Sequence, residues 1–363
     1  MWAAGGLEML LSNSSQKNTT EAEDWTEVYE VERWIQLVMA VLSALGSSSI
    51  IVYSASQRLL REPEVQPLLL LSVSDLLLAV CWLVGASLFS QDCSRPADCY
   101  NLHTAEQMLY MSSFLYTLNY IWRLYAGVRT RFFCSINGFP VQSDIRVSTA
   151  SKVTALLSGV LPALLMTPVF VQGNVHRCYA NLSQPYRCLL MQTGALFLTP
   201  EQQQQQQGAC RLLYNYRIAV FLTTFLITLM GIVVLMGKAR RIYRRVVTSA
   251  GYLGDRQWAS FRVVDRRMLL YPSVFIFCWG PAVYLAAARL FRPTAARGLA
   301  SVVLYIAQAF TSGSQGFLNC LVYGWTHTQF RSASRRISFR DADTQTPLLR
   351  SQKRGYDALR ASG

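Results

Sequence analysis

The sequence predicts an all-α membrane protein, a seven-transmembrane helix bundle with its N-terminus outside. Three observations carry this. Seven apolar stretches are each long enough to cross a bilayer, whose core of about 30 Å takes roughly 20 helical residues. Lys and Arg are divided unevenly between the segments that join those stretches. Three Asn-x-Ser/Thr sequons all fall on the side poor in basic residues.

The stretches are Trp34–Ser54, Gln66–Phe89, Thr104–Ala126, Ser151–Val171, Leu212–Gly237, Met268–Leu290 and Leu299–Tyr323. They take up nearly half of the 363 residues, and no loop is long enough to fold alone. The organisation expected is an outer tail (1–33), one membrane domain (34–323) and an inner helix with a tail (324–363). With the N-terminus outside, inner segments hold 24 of the 34 Lys and Arg. Basic residues stay on the cytoplasmic side during insertion, which favours this orientation. The net charge of +14 then faces anionic inner-leaflet lipid, so no nucleic-acid partner is implied. Asn13, Asn18 and Asn181 become glycosylation sites. The run Leu7–Leu11, interrupted by Glu8, is too short for the core of a signal peptide, so the first span is expected to direct insertion. The plasma membrane is the expected location.

Of nine cysteines, Cys93, Cys99, Cys178, Cys188 and Cys210 fall outside or at span tops, where disulfides form. An odd number cannot all pair with one another. The loop between spans four and five contains Gln202–Gln207, a low-complexity insert with no assigned role. Inside, Lys238–Arg267 is expected to extend spans five and six as helices, with Gly251 and Gly254 between them. This basic segment is either an anchor or a docking surface. Past Tyr323, a face of Trp325, Phe330, Ala333 and Ile337 beside Arg331, Arg335 and Arg336 suits a short helix on the inner leaflet. Ser338 follows Arg335 and Arg336 as a basophilic phosphorylation site, where phosphate would weaken lipid attraction.

Polar groups inside spans are costly and face the bundle interior. Asp75 must be protonated, paired or bound to a cation. Its candidate neighbours are Ser112 and Asn119 on span three and Gln315 and Asn319 on span seven. Their oxygens would suit a sodium ion; the alternative is an inter-helix hydrogen-bond network. Pro281 removes a backbone hydrogen bond in span six, and Trp279 lies two residues before it, as a lever or as static packing. Asn319 and Tyr323 share a face, and Gly316 admits a neighbouring helix closely. Arg123, at the inner end of span three, either snorkels to phosphates or meets a cytosolic partner. Glu106, Tyr110, Arg217, Arg289 and Gln308 are placed at the outer mouth, with charges of both signs that leave the ligand open.

Other classes fare worse. His103, His176 and His327 lie in loops or at span ends on opposite sides, which excludes a zinc site and points away from an enzyme. The only lysines are Lys17, Lys152, Lys238 and Lys353, so span seven has none for a retinal Schiff base. Pro162 and Pro168 in span four have no mirrored segment of the kind that transporter repeats show. A transporter, a channel or a non-coupling receptor-like scaffold is the alternative to a receptor.

Taken together, these residues resemble G-protein-coupled receptors across all seven spans. Cys278, Trp279, Gly280 and Pro281 match a Cys-Trp-x-Pro motif. Asn319 and Tyr323 match Asn-Pro-x-x-Tyr, with Cys320 in place of proline. Asp75 within Ser-Val-Ser-Asp-Leu-Leu-Leu-Ala matches the span-two aspartate, and Cys99 and Arg123 stand 24 residues apart, near the family spacing. Trp122 replaces the acidic residue before the arginine, and Ser47, Ser48 and Ser49 stand where Gly-Asn is expected. The segments Leu45–Tyr53 and Gln315–Gly324 look more like the cyclic-AMP-receptor-like branch. The resemblance implies an extracellular ligand and a heterotrimeric G protein as partners. It makes Trp279, Pro281, Asn319 and Tyr323 the activation switch, and Arg123 with Arg240, Arg241, Arg244 and Arg245 the coupling face. It also implies a bond from Cys99 to Cys188, with Cys178 as the runner-up.

Overall fold

In a computed structural model, residues 26–57, 65–88, 96–137, 144–179, 208–248, 255–291 and 299–326 are described. They form helices α1 (Thr26–Ser56), α2 (Gln66–Leu88), α3 (Pro96–Asn137), α4 (Asp144–Val175), α5 (Gly208–Thr248), α6 (Asp255–Phe291) and α7 (Leu299–Gly313). After a turn at Ser314 the chain is helical again over 315–326, here α8. No strand occurs among the described residues. The inner extensions expected across Lys238–Arg267 are the end of α5 and the start of α6. Asn13, Asn18, Asn181, Cys188, Ser338 and the inner-leaflet helix beyond 326 lie outside the described residues.

Among the described residues, five helices are long and apolar enough to cross a membrane: Glu30–Ser56, Gln66–Leu88, Lys152–Val175, Gly208–Arg245 and Arg266–Ala288. Expected spans three and seven fall outside that measure for different reasons. α3 has the length, 42 residues, but buries polar side chains including Thr104, Gln107, Ser113, Thr117 and Asn119. α7 is 15 residues long because the helix is interrupted at Ser314.

Packing explains the polarity of α3. It touches α2, α4, α5 and α6, while α1 joins α2, α4 joins α5, α5 joins α6, α6 joins α7 and α7 returns to α1. A central helix meets protein on most sides, so its polar groups find partners. α4 is the opposite case, exposing Leu156, Leu157, Leu161, Leu164 and Val175 as a lipid-facing helix would.

Two helix contacts depend on missing side chains. A Cβ on Gly46 of α1 would stand 2.8 Å from Phe317 Cα and 2.9 Å from the Gly316 carbonyl oxygen, and one on Gly313 2.8 Å from Met39 Cβ. The Gly316 N–H donates to Ser43 Oγ of α1 (2.9 Å). Small residues thus bring α1 backbone to backbone with the α7–α8 junction. At the other contact, Gly173 of α4 leaves room for Tyr100 of α3, whose hydroxyl donates to the Val169 carbonyl (2.9 Å).

The end of α4 is closed by a Schellman arrangement. Cys178 N–H donates to Gly173 O (2.9 Å) and Arg177 N–H to Asn174 O (3.3 Å), with Arg177 left-handed at φ 46°. The next bond is covalent: Cys178 pairs with Cys210 near the start of α5. Cys178 is therefore not the partner of Cys99, which corrects the runner-up pairing. Cys99 is itself disulfide-bonded.

Gly46→Ala should lower stability by about 1–3 kcal/mol, because the opposing atoms are backbone and cannot turn away. Gly237 of α5 has open space around it, so Gly237→Ala should instead be neutral or stabilise by up to about 1 kcal/mol. Thermal unfolding of the two purified variants in detergent compares them directly.

Candidate functional site

Asp75 lies mid-way along α2, in an apolar run that gives it no water, and is 2% exposed. Its burial requires donors, which come from two other elements. Oδ1 accepts from Ser113 Oγ of α3 (2.9 Å) and Gln315 Nε2 of α8 (2.7 Å), and Oδ2 accepts from Asn319 Nδ2 of α8 (2.9 Å). Trp279 of α6 donates its indole N–H to Gln315 Oε1. An indole can only donate, so Gln315 must turn its oxygen to Trp279 and its amide hydrogens to Asp75. One glutamine thereby ties the α6 tryptophan to the α2 carboxyl.

The residues expected around Asp75 are only partly those found. Gln315 and Asn319 are there. Ser112 is not: its hydroxyl bonds back to Met108 O of its own helix (2.8 Å), and Ser113 stands in its place. Asn119 is turned to α4, where its Oδ1 accepts from Thr154 Oγ1 (3.2 Å). Both corrections follow from the helical turn of about 100° per residue, which aims neighbouring positions at different helices. The carboxyl meets three donors, two of them amide nitrogens.

Trp279 also closes a cluster of rings. Its ring centroid lies 4.7 Å from Phe114 and 5.2 Å from Tyr110. Phe221 and Phe225 of α5 and Phe275 of α6 complete the set, with Phe225 and Phe275 stacked at 5.2 Å. Nearby, Pro281 offers no N–H to its own helix, and Ser312 Oγ of α7 donates to the Cys278 carbonyl (3.1 Å). Tyr110, first placed at the mouth, belongs to this buried cluster.

At the end of the bundle where α6 begins, Arg267 of α6 donates Nε–H to Thr326 Oγ1 of α8 (3.1 Å) and lies 5.8 Å over the Tyr323 ring. Arg266 lies 5.8 Å over Trp325, and Tyr323 meets Tyr53 of α1 edge-on at 6.1 Å. Arg123 is 7% exposed, whereas Arg240, Arg241, Arg244 and Arg245 are exposed. The proposed coupling arginines are thus divided between interior and surface.

At the opposite end of the bundle, Glu106 accepts from Trp82 Nε1 (2.9 Å) and lies 3.5 Å from His103 Nδ1. Arg217 of α5 donates Nε–H to Gln107 Oε1 (2.8 Å), and Gln107 Nε2 donates back to the Arg217 carbonyl (3.0 Å). Gln308 is buried on α7; Arg289 falls in α6, with its side chain outside those described. No cluster of metal-ligating side chains occurs among the described residues.

Several of these residues escaped the sequence reading: Ser113, Gln107, Arg267, Thr326 and most of the rings. The rings did carry a signal. Tyr110 and Phe114, Phe221 and Phe225, and Phe275 and Trp279 are three aromatic pairs at i, i+4 on three spans.

Fold and site define a multi-helix membrane protein whose buried polar network bridges α2, α3, α6 and α8. The chain matches the family model of transmembrane protein 116 over residues 29–358, and belongs to that family.

Ser113→Ala should destabilise by about 1–3 kcal/mol, since it removes a donor from a buried carboxyl. Ser112→Ala should change stability by only about 0.5 kcal/mol or less, its hydroxyl serving its own helix. Equal effects in a thermal unfolding assay would place the wrong serine at Asp75.

Proposed function

We propose that this protein is a plasma-membrane receptor with seven crossings and an outer N-terminus. An extracellular ligand shifts the packing of its helices and the inner face engages a heterotrimeric G protein. The observation that carries this is the Trp279–Gln315–Asp75 relay, which joins the proline-bearing helix α6 to the α2 and α3 core through one side chain. Such a relay can hold one packing and be exchanged for another, the population shift a receptor needs. The crossing count takes α3 as the central span and 299–326 as the interrupted seventh. Asn13, Asn18 and Asn181 would then carry glycans outside, and the inner face would bear neither a catalytic centre nor a metal.

In this reading the structure is a resting packing. Arg267 fastens α6 to α8, and Arg123 is buried. Activation would free the inner end of α6 and uncover Arg123 beside the exposed arginines of α5. A sodium ion would belong only to a packing in which Gln315 has left Asp75. Trp122 before Arg123, and Cys320 in place of proline, favour a second reading, a receptor-shaped scaffold that does not couple.

Ligand-free G-protein activation in cells, measured across G-protein classes at matched surface levels, separates the two. Coupling predicts a basal signal that Arg123→Ala abolishes and Arg267→Ala raises severalfold. Silence from the parent chain, Arg267→Ala and Trp279→Ala alike would favour the scaffold.

A further inference from the structure

Arg217 stands about 14 Å along α5 from its start at Gly208, well inside the outer end of the bundle. An arginine at that depth has two ordinary fates, reaching a lipid phosphate or pairing with a carboxylate. Among the described residues it has no carboxylate partner. Its Nε–H is committed to Gln107 Oε1 across the α3–α5 gap, which draws the guanidinium between helices and away from lipid. Gln107 in turn spends its amide on the Arg217 carbonyl, so the pair is reciprocal and holds the guanidinium in a set orientation.

The nearest acidic candidate in the sequence is Glu106, adjacent to Gln107. It points elsewhere, with one carboxylate oxygen on Trp82 of α2 and the other beside His103. No ion pair reaches Arg217 among the described residues. Among the described residues no carboxylate pairs with this partly buried guanidinium, which lies one helical turn outward of Phe221, whose ring meets Tyr110 and Trp279.

We propose that Arg217, oriented by Gln107, is the docking point for an anionic group, a carboxylate or phosphate, carried by the extracellular ligand. The planar fork of arginine suits such oxygens, and the partial burial of this guanidinium strengthens the pairing. This names a ligand class for the receptor proposed above and rests on that reading for its purpose. The anion has two sources, a diffusible ligand or an outer-leaflet lipid headgroup. Because Phe221 follows Arg217 on the same face of α5, movement of the docked arginine is passed to the ring cluster around Trp279.

The test uses the full chain in phosphatidylcholine nanodiscs and reads the thermal midpoint with millimolar 3-phenylpropionate, 3-phenylpropanol or 3-phenylpropylamine. The acid should raise the midpoint by about 2–4 °C, and the alcohol and amine should not. Arg217→Gln should abolish the rise, Gln107→Ala should weaken it, and Arg211→Gln, on the exposed face of α5, should leave it intact. Should Arg217→Gln not fold, Arg217→Lys replaces it and should lose most of the response while keeping the charge. Phosphatidylglycerol nanodiscs without probe form the second arm. A rise there that depends on Arg217, with none from the soluble acid, identifies a headgroup; a rise from the soluble acid identifies a diffusible ligand. Equal shifts from acid and alcohol, an undiminished response in Arg217→Gln, or no shift in either arm overturns the proposal. No G protein enters this assay, so a failure here beside an intact basal signal leaves the receptor reading standing, and the converse also holds.

Discussion

A carboxyl group in the middle of a membrane-length helix constrains everything packed around it. Asp75 cannot reach water from its place on α2, and leaving it without donors would cost several kcal/mol in so apolar a setting. Ser113 must therefore come from α3, and Gln315 and Asn319 from α8, in one spatial arrangement. Apolar packing alone specifies such a register weakly, because lipid is as good a neighbour for leucine as another helix. The polar network supplies what the hydrophobic effect does not: a reason for α2, α3 and α8 to meet at these residues and no others.

The network needs help from the opposite side. Gln315 and Asn319 can face Asp75 only if the α7–α8 junction is held at the right depth. That position is set by α1, where Gly46 and Ser43 let the Gly316 backbone come into contact and receive its N–H. Ser43 looks unremarkable in sequence, as does Gly46 three residues on. Their smallness is what lets α8 lie against α1 on one face and present two amides to Asp75 on the other. The interruption at Ser314 falls within this same short region. Close helix contact, broken helix and polar core are one assembly.

Helices were readable in the sequence because apolar length is a one-dimensional property, and α1, α2, α4, α5 and α6 show it plainly. The identity of Asp75, Gln315 and Asn319 as a group was also readable, since few polar residues interrupt those spans. Orientation was not. Ser112 and Ser113 are adjacent and chemically identical, yet one bonds within its helix and the other across to α2. Only the rotation of α3 against its four neighbours decides between them, and that rotation is a sum over the whole bundle. Asn119 fails for the same reason, having turned to Thr154. The Arg267–Thr326 contact was hidden differently, because an arginine at a span end reads as a membrane anchor until its neighbour is known.

The Cys178–Cys210 bond bears on how this chain tolerates change. It fixes the two Cα atoms 5.5 Å apart, at the two ends of the segment that contains Gln202–Gln207. Here the segment is closed by a bond between its ends at α4 and α5, so residues added to or lost from it need not shift either helix. With the covalent link present in folded and unfolded chains alike, extra length also adds little to the entropy of folding. The bond thus works as a mechanical bypass: force and register pass from α4 to α5 through sulfur, and the glutamines between them are free to vary in number.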